Sequence, residues 1–262
     1  MNYESAKDSL QIRLCDTQEN QDRLQSLVHT EHSDFSATYH VVLQEGPEGT
    51  ASTAVTPQMM ETWGITVEQL HADALAADMQ RNPMLCDMGE MMESLMFGRE
   101  PENLLDSADG TTMSGMGMFC LTNGDKMNGA GLLLQDSIMA KIGEVVEGNF
   151  FILPSSTHEV LIVPESAEID VKELSAMVYQ INRTEVSPED RLSDHVQHFD
   201  TDTRVMENAE KRESRLEMEK AETKAAKKSI HERLGEKKQQ KAEKKAEKAA
   251  EKAAKKNKGQ EL

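Results

Sequence analysis

The chain has 262 residues, of which 37% are apolar, 29% charged and 4% aromatic, and its formal net charge is −18. That is enough apolar material for one sizeable domain or two small ones, with a core of Leu, Ile, Val and Met rather than aromatic rings. The opening MNYESAKDSLQIRL is charged throughout and no later apolar run approaches bilayer length, which argues against a signal peptide or membrane span and sets the expectation of a cytoplasmic protein.

In chain order, residues 1–34 are polar with scattered aliphatics, and Leu10, Leu14, Leu24, Leu27 and Val28 suggest one or two amphipathic helices, a helical N-terminal segment. ATYHVVLQE, residues 37–45, is rich in β-branched types and closed by GPEG, so it reads as a strand and turn. Thr56 before Pro57 is a helix start, Gly64 an interruption, and Thr66 to Gln80 a second helix stopped at Asn82-Pro83. Methionine is conspicuous, with 17 in the chain. Met84, Met88, Met92 and Met96 fit one face of a helix, where flexible thioethers fill gaps or form an adaptable groove for a partner helix. Met113, Met116 and Met118 raise the alternative of soft Cu(I) ligation.

From residue 117 the pattern is more regular. GMFCLTN is a strand, NGDKMNG a turn, and AGLLLQ a second strand or an entry to the helix Asp136 to Val146. NFFILP and HEVLIVP form an antiparallel pair around the corner Pro154-Ser155-Ser156. Asp170 caps a helix with Val171, Leu174, Val178 and Ile181 on one side, and DHVQHFD alternates as a strand. The order predicts an α+β domain over residues 35–203, a largely antiparallel sheet with helices packed on one face.

Residues 204–262 form a tail. From Glu207 onward there are 18 Lys and Arg against 12 Asp and Glu, which leaves 11 against 35 in residues 1–206, an acidic body with a basic extension. Its Ala, Glu and Lys favour a long charged helix, coiled-coil-like in composition but without apolar heptads, or a disordered region. It reads as a solvated extension. Nucleic-acid binding or contact with the acidic body are the alternatives, and interleaved glutamates weaken the former.

The runs WGITVEQLHADA, FCLTNGDKMNGAGLLL, FFILPSSTHEVLIVP, VYQINRTEV and PEDRLSDHVQHFD resemble, in that order, an uncharacterised domain-of-unknown-function family seen in Gram-positive gut anaerobes. The likeness runs from about Trp63 to Asp200. It implies no activity, because that family has no established biochemistry. Where its members tend to carry aromatics after LSD-x-V, this chain has Gln197 and His198.

Two constellations carry chemistry. Ser155, Ser156, His158, Glu159, Asp194 and His195 are the residue types of a hydrolase, a serine with a base and an orienting acid, although no glycine-flanked elbow surrounds either serine. The structural alternative is a polar patch in which His158 is held by Asp194 or Ser193. Asn123, Asn128, Ser155, Ser156, His158 and Asp194 are accordingly candidate binding residues. His158-Glu159 begins like H-E-x-x-H without the second histidine, His29 and His32 form only a loose pair, and Cys15, Cys86 and Cys120 suit buried free thiols. No metal or cofactor is expected. The reading reached is a protein-binding module with an unidentified protein partner, with hydrolysis as runner-up.

Overall fold

The computed structural model describes residues 2–46, 49–107, 117–167 and 169–224. Contacts divide the chain into two units, Met1–Arg212 and Glu213–Leu262. The first unit opens with α1 (Tyr3–Ala6), β1 (Leu10–Asp16), α2 (Gln21–Leu24), β2 (His29–His32), β3 (Phe35–Gly46) and β4 (Gly49–Ala54). It continues through α3 (Pro57–Trp63), α4 (Val67–Asp78), β5 (Pro83–Asp87), α5 (Met88–Phe97), β6 (Phe119–Asn123), a 3-10 helix (Gly129–Leu134) and α6 (Asp136–Val145). The last elements are β7 (Phe150–Leu153), β8 (Val160–Pro164), α7 (Val171–Thr184), β9 (Gln197–Asp200) and β10 (Val205–Asn208). Within the second unit, residues 213–224 are helical.

The chain is α+β with antiparallel pairing, as its sequence predicts, but the strands form two sheets. One has the order β1-β3-β2 with β4 also on β3; the other runs β10-β9-β7-β8-β6-β5. The helices expected around Leu10 and Leu14 are therefore replaced by a strand. Leu10, Ile12 and Leu14 alternate with Gln11, Arg13 and Cys15 in β1, which puts the first three into the main core while Gln11 pairs with His40 and Arg13 with Thr38 across to β3. AGLLLQ is not a strand either. It winds into the 3-10 helix because Asn128 enters it in the left-handed conformation, at φ 55°, and Gly129 and Ala130 give their N–H groups to the carbonyls of His158 and Thr157.

The helix starts read from sequence fall in place. Thr56, Thr66 and Asp170 each accept a hydrogen bond from the first turn of α3, α4 and α7, and Gly64 closes α3 at φ 68°. The methionine helix is corrected: Met84 lies in β5, and α5 begins only at Met88 because Asp87 caps it through the N–H groups of Gly89 and Glu90. Met92 and Met96 on α5 are exposed. Met113, Met116, the centre of the GPEG turn and the tail beyond 224 lie outside the described residues.

Alternation along β7 divides the core. Phe150 and Ile152 join the main cluster with Ile138, Met139 and Ile142 of α6, while Phe151 and Leu153 pack with Val171, Leu174 and Val178 of α7. The six-stranded sheet thus has apolar packing on both faces; the polar turn 124–128 follows β6, and the Pro154-Ser155-Ser156 corner and His158 lie between β7 and β8.

Candidate functional site

The Pro154-Ser155-Ser156 corner and the LSD segment meet as backbones. Ser193 N–H donates to Pro154 O at 2.9 Å, Leu192 N–H to Ser155 O at 3.3 Å, and Ser156 bridges to Arg191. That register delivers Asp190, not Asp194, to His158: Nε2 lies 3.1 Å from Asp190 Oδ1, and the other carboxylate oxygen of Asp190 accepts from Ser187 at 2.6 Å. On the opposite edge of the imidazole, Nδ1 accepts the backbone N–H of Asn128 at 3.1 Å. Since a backbone N–H can only donate, Nδ1 carries no proton, and the proton sits on Nε2, where it is given to Asp190.

His158 is also held through its main chain. Its N–H donates to Ser156 Oγ at 3.0 Å, and its carbonyl accepts from Thr122 Oγ1 and Gly129 N, both at 3.0 Å. The approach is so close that a Cβ on Gly129 would lie 2.6 Å from His158 O and 2.8 Å from Thr122 Cα. Asn123 clamps the same turn from within, donating from Nδ2 to Met127 O at 2.9 Å and accepting Met127 N–H at 3.1 Å on Oδ1. The turn 123–129 is therefore pinned at three points, and the histidine is one of them.

These bonds decide what the sequence candidates can do together. Among the described residues no hydrogen bond joins His158 to Asp194, and none joins an imidazole to the Ser155 or Ser156 hydroxyl. Asp194 instead accepts from Asn182 Nδ2 at 2.6 Å, with Arg183 3.9 Å away. His195 donates its N–H to Ser193 Oγ, and its carbonyl accepts from Gln197 Nε2. Glu159 lies 3.9 Å from Cys120 Sγ. His29 and His32 sit at the two ends of β2, and His32 stacks on His71 with ring centroids 5.5 Å apart. Gln197 and His198 are fully buried, so they offer no surface platform. No group of three or more His, Cys, Asp or Glu side chains among the described residues is arranged to hold a metal.

The pinned turn forms one wall of a polar cleft of about 330 Å³, lined by Asp125, Met127 and Asn128, by Gln11 of β1, by Thr50 of β4 and by Arg81. Asn128 Nδ2 reaches across to Gln11 Oε1 at 3.0 Å. Arg81 pairs with Asp125 at 3.0 Å and stands 3.8 Å from Asp78. Asp78 is buried at 5% exposure and accepts the Ile12 N–H; burial pushes its carboxyl up to about 7, against the opposing pull of that bond and of Arg81. A wider groove of about 480 Å³ between the β2 entry and α3 has a mostly aliphatic lining, including Leu27, Val28, Met60 and Ile65.

Sequence reasoning selected Asn123, Asn128 and His158 but missed Asp190, Gln11, Arg13 and Arg81. The alternation of Gln11 and Arg13 with Leu10, Ile12 and Leu14 was the available signal for a polar strand face. No helix among the described residues is long and apolar enough to cross a membrane. No curated protein and no solved structure shows significant similarity to this chain. A family model described as a family of unknown function (DUF5688) matches residues 1–201, covering the N-terminal sheet as well as the stretch from Trp63 onward, and the chain belongs to that family.

Proposed function

We propose that this domain is a cytoplasmic binding module without catalysis, and that the turn 123–129 is its recognition element. The observation that carries the reading is the wiring of His158. Both ring nitrogens are spent, one on Asn128 N–H and one on Asp190, so the imidazole works as a strut for the turn rather than as a base for a serine. The turn so braced faces a cleft with hydrogen-bonding groups of both kinds, the arrangement a binding site needs. Three free, buried cysteines support a reducing compartment; Cys86 and Cys120 lie directly opposite each other in β5 and β6 and remain unbonded.

Capture from native cell extract on the immobilised full chain tests this reading. A partner retained by the wild type should be lost with Asn128→Ala and Asp125→Arg and kept with Ser156→Ala. Ester or peptide hydrolysis abolished by Ser156→Ala or His158→Gln, in variants that remain folded, would replace it with the hydrolase reading.

A further inference from the structure

We propose that the cleft beside the 123–129 turn binds a small molecule through one oxyanion, a carboxylate or a phosphoryl group, and that Arg13 is the residue that grips it. The inference rests on the binding reading above and adds the chemical class of the ligand.

Arg13 is out of keeping with its surroundings. Residues 1–206 hold 35 acidic against 11 basic side chains, so a part-buried guanidinium has every opportunity to meet a carboxylate. Arg81 does so with Asp78 and Asp125, and Arg212 with Glu165 and Glu207. Among the described residues Arg13 meets only neutral atoms, Ser52 Oγ at 2.7 Å and Gln11 Oε1 at 3.4 Å, and its buried Nε has no hydrogen-bond partner. A charged donor held in this way costs stability unless an anion completes it.

The electrostatics point the same way. Burial lowers the Arg13 pKa, and the positive charges of Arg23 and Arg81 lower it further. His40, which faces Gln11 across to β3, is pushed down to about 3 by burial and by Arg13 and Arg23. Two groups on one sheet face thus register a local positive field inside a body of strongly negative charge, which is what an oxyanion would neutralise.

The position fits entry from the cleft. Gln11 and Thr50 line it, and Arg13 and Ser52 follow them two residues further along β1 and β4, on the same faces of those strands. Asp125 beside Arg81 stands at 47% side-chain exposure, so an anion is favoured at the Arg13 end, while the Asp125 end suits hydrogen-bond donors of the same ligand. The fork of a guanidinium is shaped for carboxylate or phosphate oxygens, and the buried Nε–H is one tine of that fork.

The Nε–H resonance of Arg13 in the full-length, 15N-labelled protein reads the site directly, assigned by its disappearance in Arg13→Gln. Inorganic phosphate and acetate are titrated separately against sodium chloride at equal ionic strength. A saturable shift with phosphate assigns a phosphoryl ligand and one with acetate a carboxylate; either should raise the Tm of the wild type but not of Arg13→Gln, and Arg13→Lys should bind at least tenfold more weakly. Absence of a saturable shift with both anions, or an equal Tm response in wild type and Arg13→Gln, overturns the proposal. If partner capture still depends on Asn128 in that case, the binding reading stands and only the oxyanion is removed.

Discussion

Gly129→Ala should separate the 123–129 turn from the strand end that holds it. The new Cβ would sit 2.6 Å from His158 O, 2.8 Å from Thr122 Cα and 2.9 Å from Thr122 Oγ1. Two of these three neighbours belong to the main chain and cannot swing aside. Relief to an ordinary 3.4 Å contact requires the turn to withdraw by about 0.8 Å from His158 O. The Gly129 N–H to His158 O bond, 3.0 Å long, would then exceed hydrogen-bonding distance, and the Asn128 N–H to His158 Nδ1 bond spans the same gap. Overpacking of this kind costs about 1–3 kcal/mol and the lost bond about 1 kcal/mol, for a total of about 2–4 kcal/mol. Urea unfolding followed by circular dichroism measures it. Gly46→Ala is the control: nothing lies within 4 Å of its would-be Cβ and its φ is not in the left-handed region, so it should be neutral or mildly stabilising. Equal midpoints for the two variants would refute the close approach on which the pinned turn depends.

Three further outcomes are expected. Asp78→Asn keeps an acceptor for the Ile12 N–H and removes the charge; because the Asp78 carboxyl is raised from 3.8 to about 7 in the fold, its contribution is fully present below pH 3.8 and is lost as pH rises through 7. The stability of Asp78→Asn relative to wild type should therefore climb between pH 4 and 7, by up to about 4 kcal/mol, and a difference that stays constant across that range would refute the shift. Asn182→Ala should cost about 2–3 kcal/mol in urea unfolding, since Asn182 is buried at 1% exposure and its Nδ2 bonds both Ser193 O and Asp194 Oδ1; a loss below about 1 kcal/mol would show the bonds to be dispensable. Burial pushes Cys86 up to about 11 and Cys120 up to about 12, so at pH 8 a disulfide reagent should label them only at the rate of unfolding, and fast labelling of the native protein would contradict their burial.

Legibility of the fold followed how unambiguous each local signal was. Thr56-Pro57, Thr66 and Asp170 specify helix starts by their own chemistry, and the strands flanking Pro154 are recognisable from β-branched and aromatic runs on either side of a breaker. The N-terminal strand was hidden because a spacing of four residues satisfies both periods. Leu10 and Leu14 share a face in a helix and in a strand, and only Ile12 between them distinguishes the two, since it joins that face in a strand alone. The same coincidence joined Met84 to Met88 across the β5–α5 boundary, where Asp87 followed by Glu90 was the stop-and-start signal. At the site, the meeting of the serine corner with the LSD segment was legible as polar complementarity. Its register was not: whether Asp190 or Asp194 reaches His158 depends on which backbone groups pair near Ser156 and Arg191, and nothing local encodes that. The Arg13 environment is further from view still, because an arginine with neutral partners is defined by three strands brought together in space.

The proton on His158 is the most direct test of the account. Long-range 1H–15N correlation of the histidine side chains, with His158 assigned by its loss in His158→Gln, reports which ring nitrogen is protonated. The wiring predicts a proton on Nε2 alone, with Nδ1 in the chemical-shift range of a hydrogen-bond acceptor and the signal altered in Asp190→Asn. A proton on Nδ1 would mean that Asn128 is not held by this ring, and the strut, with the recognition role proposed for the turn it braces, would be contradicted.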